Sequence, residues 1–229
     1  MSLSTSRAPA SGCTRARSRS VPGFALTEAA LARSLDLIAA EDADVARALE
    51  HAGYPPERRR PTGFATLMRI IIGQQLSTKA AATIASRLET VLVGNFTPAG
   101  FLALGDEELR AIGYSRQKIV YGRGLAEAIA TGALELDGME RQSDEDVAAA
   151  ICALKGFGRW SAEMYLLSSL GRPDIWPAHD VAVQEAVRRI KRLDTRPTPK
   201  AMDEIAQPWR PHRSAVAVFL WHYYANPPL

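Results

Sequence analysis

Residues 154–170 read LKGFGRWSAEMYLLSSL, and two glycines, Gly156 and Gly158, bracket one aromatic residue there. An apolar helical pattern ends just before them and another starts just after. Glycine weakens helices, but it admits positive φ and lets a second backbone come close. The form L-x-G-h-G therefore predicts two helices joined by a tight turn. The turn amides and the N-terminus of the second helix then point outward, carrying the positive end of the helix dipole. That geometry suits an anion. A DNA phosphate is one such anion, and phosphate contacts position a duplex without reading its sequence. A plain corner between two helices has the same short signature, so the glycines alone leave both readings open.

The rest of the chain keeps the helical period. Thr27 is placed to cap EAALARSLDLIAA, whose Leu31, Leu35 and Ile38 share a face. DADVARALEHAG follows and stops at Gly53, and PPERRRPTG reads as a loop. FATLMRIIIGQQLS reads as a strongly apolar helix, and Ser77 caps TKAAATIASRLETVLV. TPAGFLAL and DEELRAIG are short helical pieces, and SRQKIVYGRGLAEAIATG is a longer one. SDEDVAAAICALKG opens with Ser143 and Asp146 at capping-box spacing. Two final helices are expected near 180–191 and 211–225. Alternating strand patterns are essentially absent, which predicts an all-α fold of about ten helices.

Composition bounds the class. With 229 residues, 47% apolar and 23% charged, the chain has material for one large domain or two small lobes around a core. No run of apolar residues is long enough to span a membrane. Cys13 and Cys152 lie far apart, with no metal-ligand spacing, which fits a reducing cytoplasm and no metal site. Residues 1–23 carry four arginines and no acid, so of the net charge of +3 the remainder carries −1. Net charge alone thus gives the folded part no argument for nucleic acid; a basic face has to be local. The same 23 residues are rich in Ser, Arg, Ala and Pro, and are expected to form a disordered basic tail.

Four stretches in order change the balance at the glycines. LKGFGRWSA resembles the helix-hairpin-helix of the DNA glycosylase superfamily that carries a Gly/Pro-rich loop and a single downstream Asp, the HhH-GPD superfamily. WPAHDVAVQEAVRRI supplies that Asp as Asp180, twenty residues after Trp160 and at the head of a helix. By itself an acid at a helix start is a cap. IIIGQQLSTKAA resembles the segment from which this family inserts a side chain into the duplex. WRPHRSAVAVFLWHYY resembles the C-terminal helix of the 3-methyladenine DNA glycosylase II branch. The resemblance covers roughly residues 60–225, without the N-terminal β-domain of some members.

The resemblance implies cleavage of the N-glycosidic bond of an alkylated base, of the 3-methyladenine or 7-methylguanine type, in double-stranded DNA. The base leaves the stack first, with Gln75 or Leu76 as the wedge that fills the space. Asp180 would be the catalytic residue, stabilising an oxocarbenium-like sugar and orienting water. Trp160, Trp221, Phe64, Met164 and Val181 would form the base pocket; relatives carry tyrosines where Met164 and Val181 stand. Lys155, Gly156, Gly158, Arg159 and Ser161 would meet phosphate. Relatives that also cut the strand use a lysine at the position of Trp160 to form a Schiff base. Tryptophan forms none, so a monofunctional enzyme without AP-lyase activity is expected.

His179, Arg210, Arg213 and the stretch 113–124, with Arg116 and Lys118, have plainer readings: a loop histidine, helix support or a phosphate contact for the two arginines, and a second degenerate hairpin or a solvated helix face. The expected architecture is two-lobed, with Asp180 in the cleft. Residues 64–171 form a central lobe with the hairpin, and residues 24–63 plus 172–229 form the other. No cofactor is expected, apart from a monovalent or divalent cation at the hairpin. A monomer acting in the cytoplasm at the nucleoid, with no membrane partner, completes the expectation. The alternatives are a glycosylase of the same superfamily for oxidised or deaminated bases, a lesion-binding protein without turnover, and a helical domain with no DNA role.

Overall fold

The computed structural model describes residues 25–226, so the basic segment 1–23 and Cys13 lie outside the described residues. Among the described residues the chain forms twelve α-helices and two short 3₁₀ helices, with no strand. Helix α1 (Glu28–Glu41) is followed by α2 (Ala43–Ala52), and Asp42 between them caps α2 through the amides of Asp44 and Val45. The Asp42 carboxylate also takes Lys191 Nζ at 2.7 Å and Trp209 Nε1 at 2.9 Å.

The next helices are α3 (Phe64–Gly73), α4 (Thr78–Val91), α5 (Pro98–Ala103), α6 (Asp106–Ala111) and α7 (Arg116–Ala130). After α8 (Asp144–Cys152) come the two-glycine turn and α9 (Arg159–Ser168). The chain closes with α10 (Val181–Ile190), α11 (Pro199–Ile205) and α12 (Arg213–Ala225).

The caps read from sequence form. Thr27 accepts from Ala30 N and Ser77 from Ala80 N. Ser143 Oγ accepts from Asp146 N at 3.1 Å and donates to the Asp146 carboxylate at 2.7 Å, so the two side chains bond each other directly. Two boundaries differ from expectation. Helix α3 stops at Gly73, and Gln74–Leu76 turn out of it with Gln75 at φ 57°. Lys118 Nζ takes the carbonyls of Ile72 and Gln74, at 2.6 and 3.0 Å, that a longer helix would have used. Helix α11 was not expected; its seven residues are too few to show a period, although Thr198 caps it and Pro199 opens it.

Helix packing groups α1, α2, α10 and α12 together, and α3 with α4, α7 and α9. Helices α5 and α6 lie on α7, and α8 lies on α9. One apolar core runs through both groups, with Leu35, Leu67, Ile71, Leu166, Phe219 and Leu220 fully buried. Each such side chain contributes roughly 1.5–3 kcal/mol of transfer free energy.

The segment before α10 is pinned to the start of α12. Arg213 grips Asp174 at 2.7 and 2.9 Å. The Ser214 amide donates to Pro173 O, and Ser214 Oγ accepts from the Ile175 amide at 2.8 Å. Trp176 Nε1 reaches Met202 O. These anchors fix the backbone that delivers Asp180. They also make Arg213, half-buried, a clamp on Asp174 rather than a phosphate contact.

Candidate active site

Asp180 is the N-cap of α10, and its Oδ1 accepts from the amides of Ala182 and Val183 at 3.0 Å. A cap needs no more than this. Here two tryptophans add to it: Trp221 Nε1 donates to Oδ1 at 3.1 Å and Trp160 Nε1 donates to Oδ2 at 2.9 Å. Trp160 comes from the first turn of α9 and Trp221 from α12, so three helices converge on one carboxylate. Among the described residues no ion pair forms on Asp180. Arg58 stands with its guanidinium carbon 5.5 Å from the centroid of Trp221, within electrostatic reach of Asp180.

Asp180 opens on a cleft of about 700 Å³. Its walls bring together Gln75 and Leu76 of the α3–α4 loop, Gly156, Gly158, Trp160 and Ser161 of the hairpin, and His179 and Val181 beside the carboxylate. Leu76 is 40% exposed and Val181 57% exposed.

The two glycines do different things. Gly156 has φ 92°, and a Cβ there would fall 2.2 Å from the Tyr121 ring. Gly158 has ordinary φ, caps α9 without a side chain, and has nothing within 4 Å of a notional Cβ. One glycine closes the turn, and the other leaves an open approach to the uncapped amides of α9.

Several expected site residues lie elsewhere. Phe64 is corrected to a core residue: it is 7% exposed, and the first turn of α3 aims it edge-on at Phe96 and Phe101. Met164 packs partly buried against the core and does not line the cleft. Ser161 is 2% exposed and its hydroxyl accepts from Gln74, which removes it from the phosphate face. Trp221 meets Asp180 with its edge while Arg58 lies over its ring, so it serves as a clamp more than an open stacking surface. Lys155, Gly158 and Arg159 are exposed at the hairpin.

Two groups were not visible in the sequence. Gln74 Nε2 donates to Gly156 O at 2.8 Å and Ser161 Oγ at 3.2 Å. Glu163, 5% exposed in α9, pairs with Arg159 Nε at 3.0 Å and leaves Oε2 without a partner. Burial pushes the Glu163 carboxyl up to about 7, against the pull of Arg159. Among the described residues no group of three His, Cys, Asp or Glu side chains gathers as metal ligands.

The family of HhH-GPD superfamily base excision DNA repair proteins matches residues 68–211. DNA-3-methyladenine glycosylase 1 of Schizosaccharomyces pombe is 34% identical over 168 residues, which is 72% of this chain and 73% of that protein. The solved structure of the 3-methyladenine DNA glycosylase Mag1 of that yeast, in complex with abasic DNA, superposes with TM-score 0.79 at 30% identity. That match covers 82% of this chain and 95% of the other. A DNA-3-methyladenine glycosidase from Bacillus halodurans gives TM-score 0.70 at 30% identity, over 83% of this chain and 88% of its own.

Proposed function

The chain belongs to the HhH-GPD superfamily of base excision DNA repair proteins, and from that premise we propose that it removes alkylated bases from double-stranded DNA as a monofunctional glycosylase. The observation that carries the mechanism is the Asp180 carboxylate, held by two indoles and two amides at a cleft that also holds the hairpin and the α3–α4 loop.

An alkylated purine of the 3-methyladenine or 7-methylguanine type carries positive charge, so its bond to the sugar is already weakened. As that bond breaks, positive charge passes to the sugar. A carboxylate fixed beneath it stabilises the developing cation, and preorganised donors spare it any rearrangement. Oδ1 has three donors and Oδ2 one, so Oδ2 keeps acceptor capacity for the sugar or for the attacking water. Gln75 and Leu76 occupy the space left when the base is extruded. The face of Trp160 offers a cationic base a π surface without a demanding hydrogen-bond pattern.

Trp160 stands hydrogen-bonded to Asp180 where a Schiff-base lysine would be needed for strand cutting. Lys155 is exposed on the hairpin, where it serves phosphate with Arg159 and the α9 amides. The grouping of α1, α2, α10 and α12 apart from α3–α9 supports two lobes, 24–63 plus 172–229 and 64–171, with Asp180 between them. No cofactor takes part in this hydrolysis, and a cation at the hairpin would serve DNA grip alone. The enzyme acts as a monomer, in the cytoplasm at the nucleoid.

The test is base release. Methylated duplex DNA is incubated with the protein and with Asp180→Asn, free 3-methyladenine and 7-methylguanine are counted, and strands are examined before and after alkali. Release by the wild type alone, with breaks only after alkali, is expected. Salt-sensitive DNA binding without release of either base would turn the reading toward other lesions or a binding protein without turnover.

A further inference from the structure

We infer that Gln74 is a positioning residue that locks the wedge loop to the DNA-gripping hairpin before DNA arrives, an inference that rests on the glycosylase reading above. One side-chain amide joins the end of α3 to both sides of the hairpin turn, to Gly156 O at 2.8 Å and Ser161 Oγ at 3.2 Å. The loop is held from its other side by Lys118 of α7, which takes the Ile72 and Gln74 carbonyls. Tyr121, one turn further along α7, lies against Gly156 so closely that only glycine fits there. The wedge loop, α7 and the hairpin thus meet at a single glycine.

The neighbour in sequence shows what the lock holds. Gln75 sits at φ 57°, a conformation that residues other than glycine adopt only where their surroundings fix it. Its fixed neighbour Gln74 has its carbonyl on Lys118 and its amide on the hairpin. A wedge pushes on the base stack only as hard as its own mounting resists. With Gln74 in place, the tip and the phosphate grip are one rigid body. Without it, Gln75 and Leu76 still reach the duplex, but the loop yields as the base pair re-forms. Gln74 should therefore act on extrusion, and leave hydrolysis and DNA grip as they are.

The test uses the full chain and one 7-methylguanine in two duplexes, paired with cytosine or placed in a single-nucleotide bulge, where extrusion costs less. Gln74→Met keeps the volume and removes both hydrogen bonds. Gln74→Glu sets a carboxylate against the Gly156 carbonyl, which has no proton to give, and leaves at most a bond from the Ser161 hydroxyl. Both variants should release base from the paired site about tenfold more slowly in single turnover, from the bulge within about twofold of wild type, and bind undamaged duplex equally well. An unchanged paired rate, an equal loss in both duplexes, or a loss of affinity that accounts for the rate would overturn the inference. The wild type separates the two levels: if it releases no base from either duplex, the glycosylase reading itself falls, whereas active wild type with any of those variant results overturns only the role of Gln74.

Discussion

The two oxygens of the Asp180 carboxylate have different partners, and the proposed chemistry falls to only one of them. Oδ1 is spent on structure, taking two helix amides and Trp221, while Oδ2 takes only Trp160. Substitution separates these roles. Asn caps a helix about as well as Asp, but its NH2 in the place of Oδ2 cannot accept from Trp160, so Asp180→Asn should melt a little below the wild type and lose base release by about 10²–10³-fold. Asp180→Ala also loses the cap, at about 1 kcal/mol, and should melt about 2–4 °C lower. Wild-type release by Asp180→Asn would take the carboxylate out of the mechanism. Asp180 and Trp160 were singled out through the family resemblance, which sets them twenty residues apart on two helix starts, and the fold joins them by one hydrogen bond; an acid at a helix start alone reads as a cap. Gln74 was not: its partners lie 82 and 87 residues away and exist only once α3 and the hairpin pack. Phe64 was misread because an apolar residue at a helix start faces core or cleft according to neighbours the sequence does not place.

At the level of elements, the hairpin depends on Gly156 more than on Gly158. Alanine at 156 meets both a positive φ and the Tyr121 ring at its root, which is no flexible tip that can swing aside. Gly156→Ala should cost about 1–3 kcal/mol and weaken DNA binding, whereas Gly158→Ala should cost well under half of that. Urea melts of the two variants check the ordering, and equal costs would contradict it. The helices themselves were legible wherever a cap met a sustained period, as at Thr27, Ser77 and Ser143. The end of α3 was not, because the donor that ends it is a lysine on α7. Segment 113–124 does bend between α6 and α7 at Gly113, φ 109°, yet Lys118 faces inward to hold α3.

For the whole molecule, the buried Glu163 ties stability to pH. Its carboxyl ionises at about 4.5 in an unfolded chain and about 7 in the fold, so the folded protein holds more protons between those values. Stability should therefore fall as pH rises through that window, by up to about 3 kcal/mol. Glu163→Gln should melt higher than wild type at pH 8 and show a smaller difference at pH 5; the reverse ordering would contradict the buried, half-partnered state.

The fold also sets an aspartate cap beside an indole twice. At Asp42 the partners are Trp209 and a neutralising Lys191; at Asp180 they are two tryptophans and, among the described residues, no ion-paired cation. Trp176 and Trp209 are buried, and Trp160 and Trp221 are half-buried beside Asp180. The chain has four tryptophans in all, and two of them point their N–H at the Asp180 carboxylate. Occupation of the cleft should be readable as a change in colour and brightness of the protein's own light, with no label attached, and Asp180→Asn should shift that light before any DNA is added.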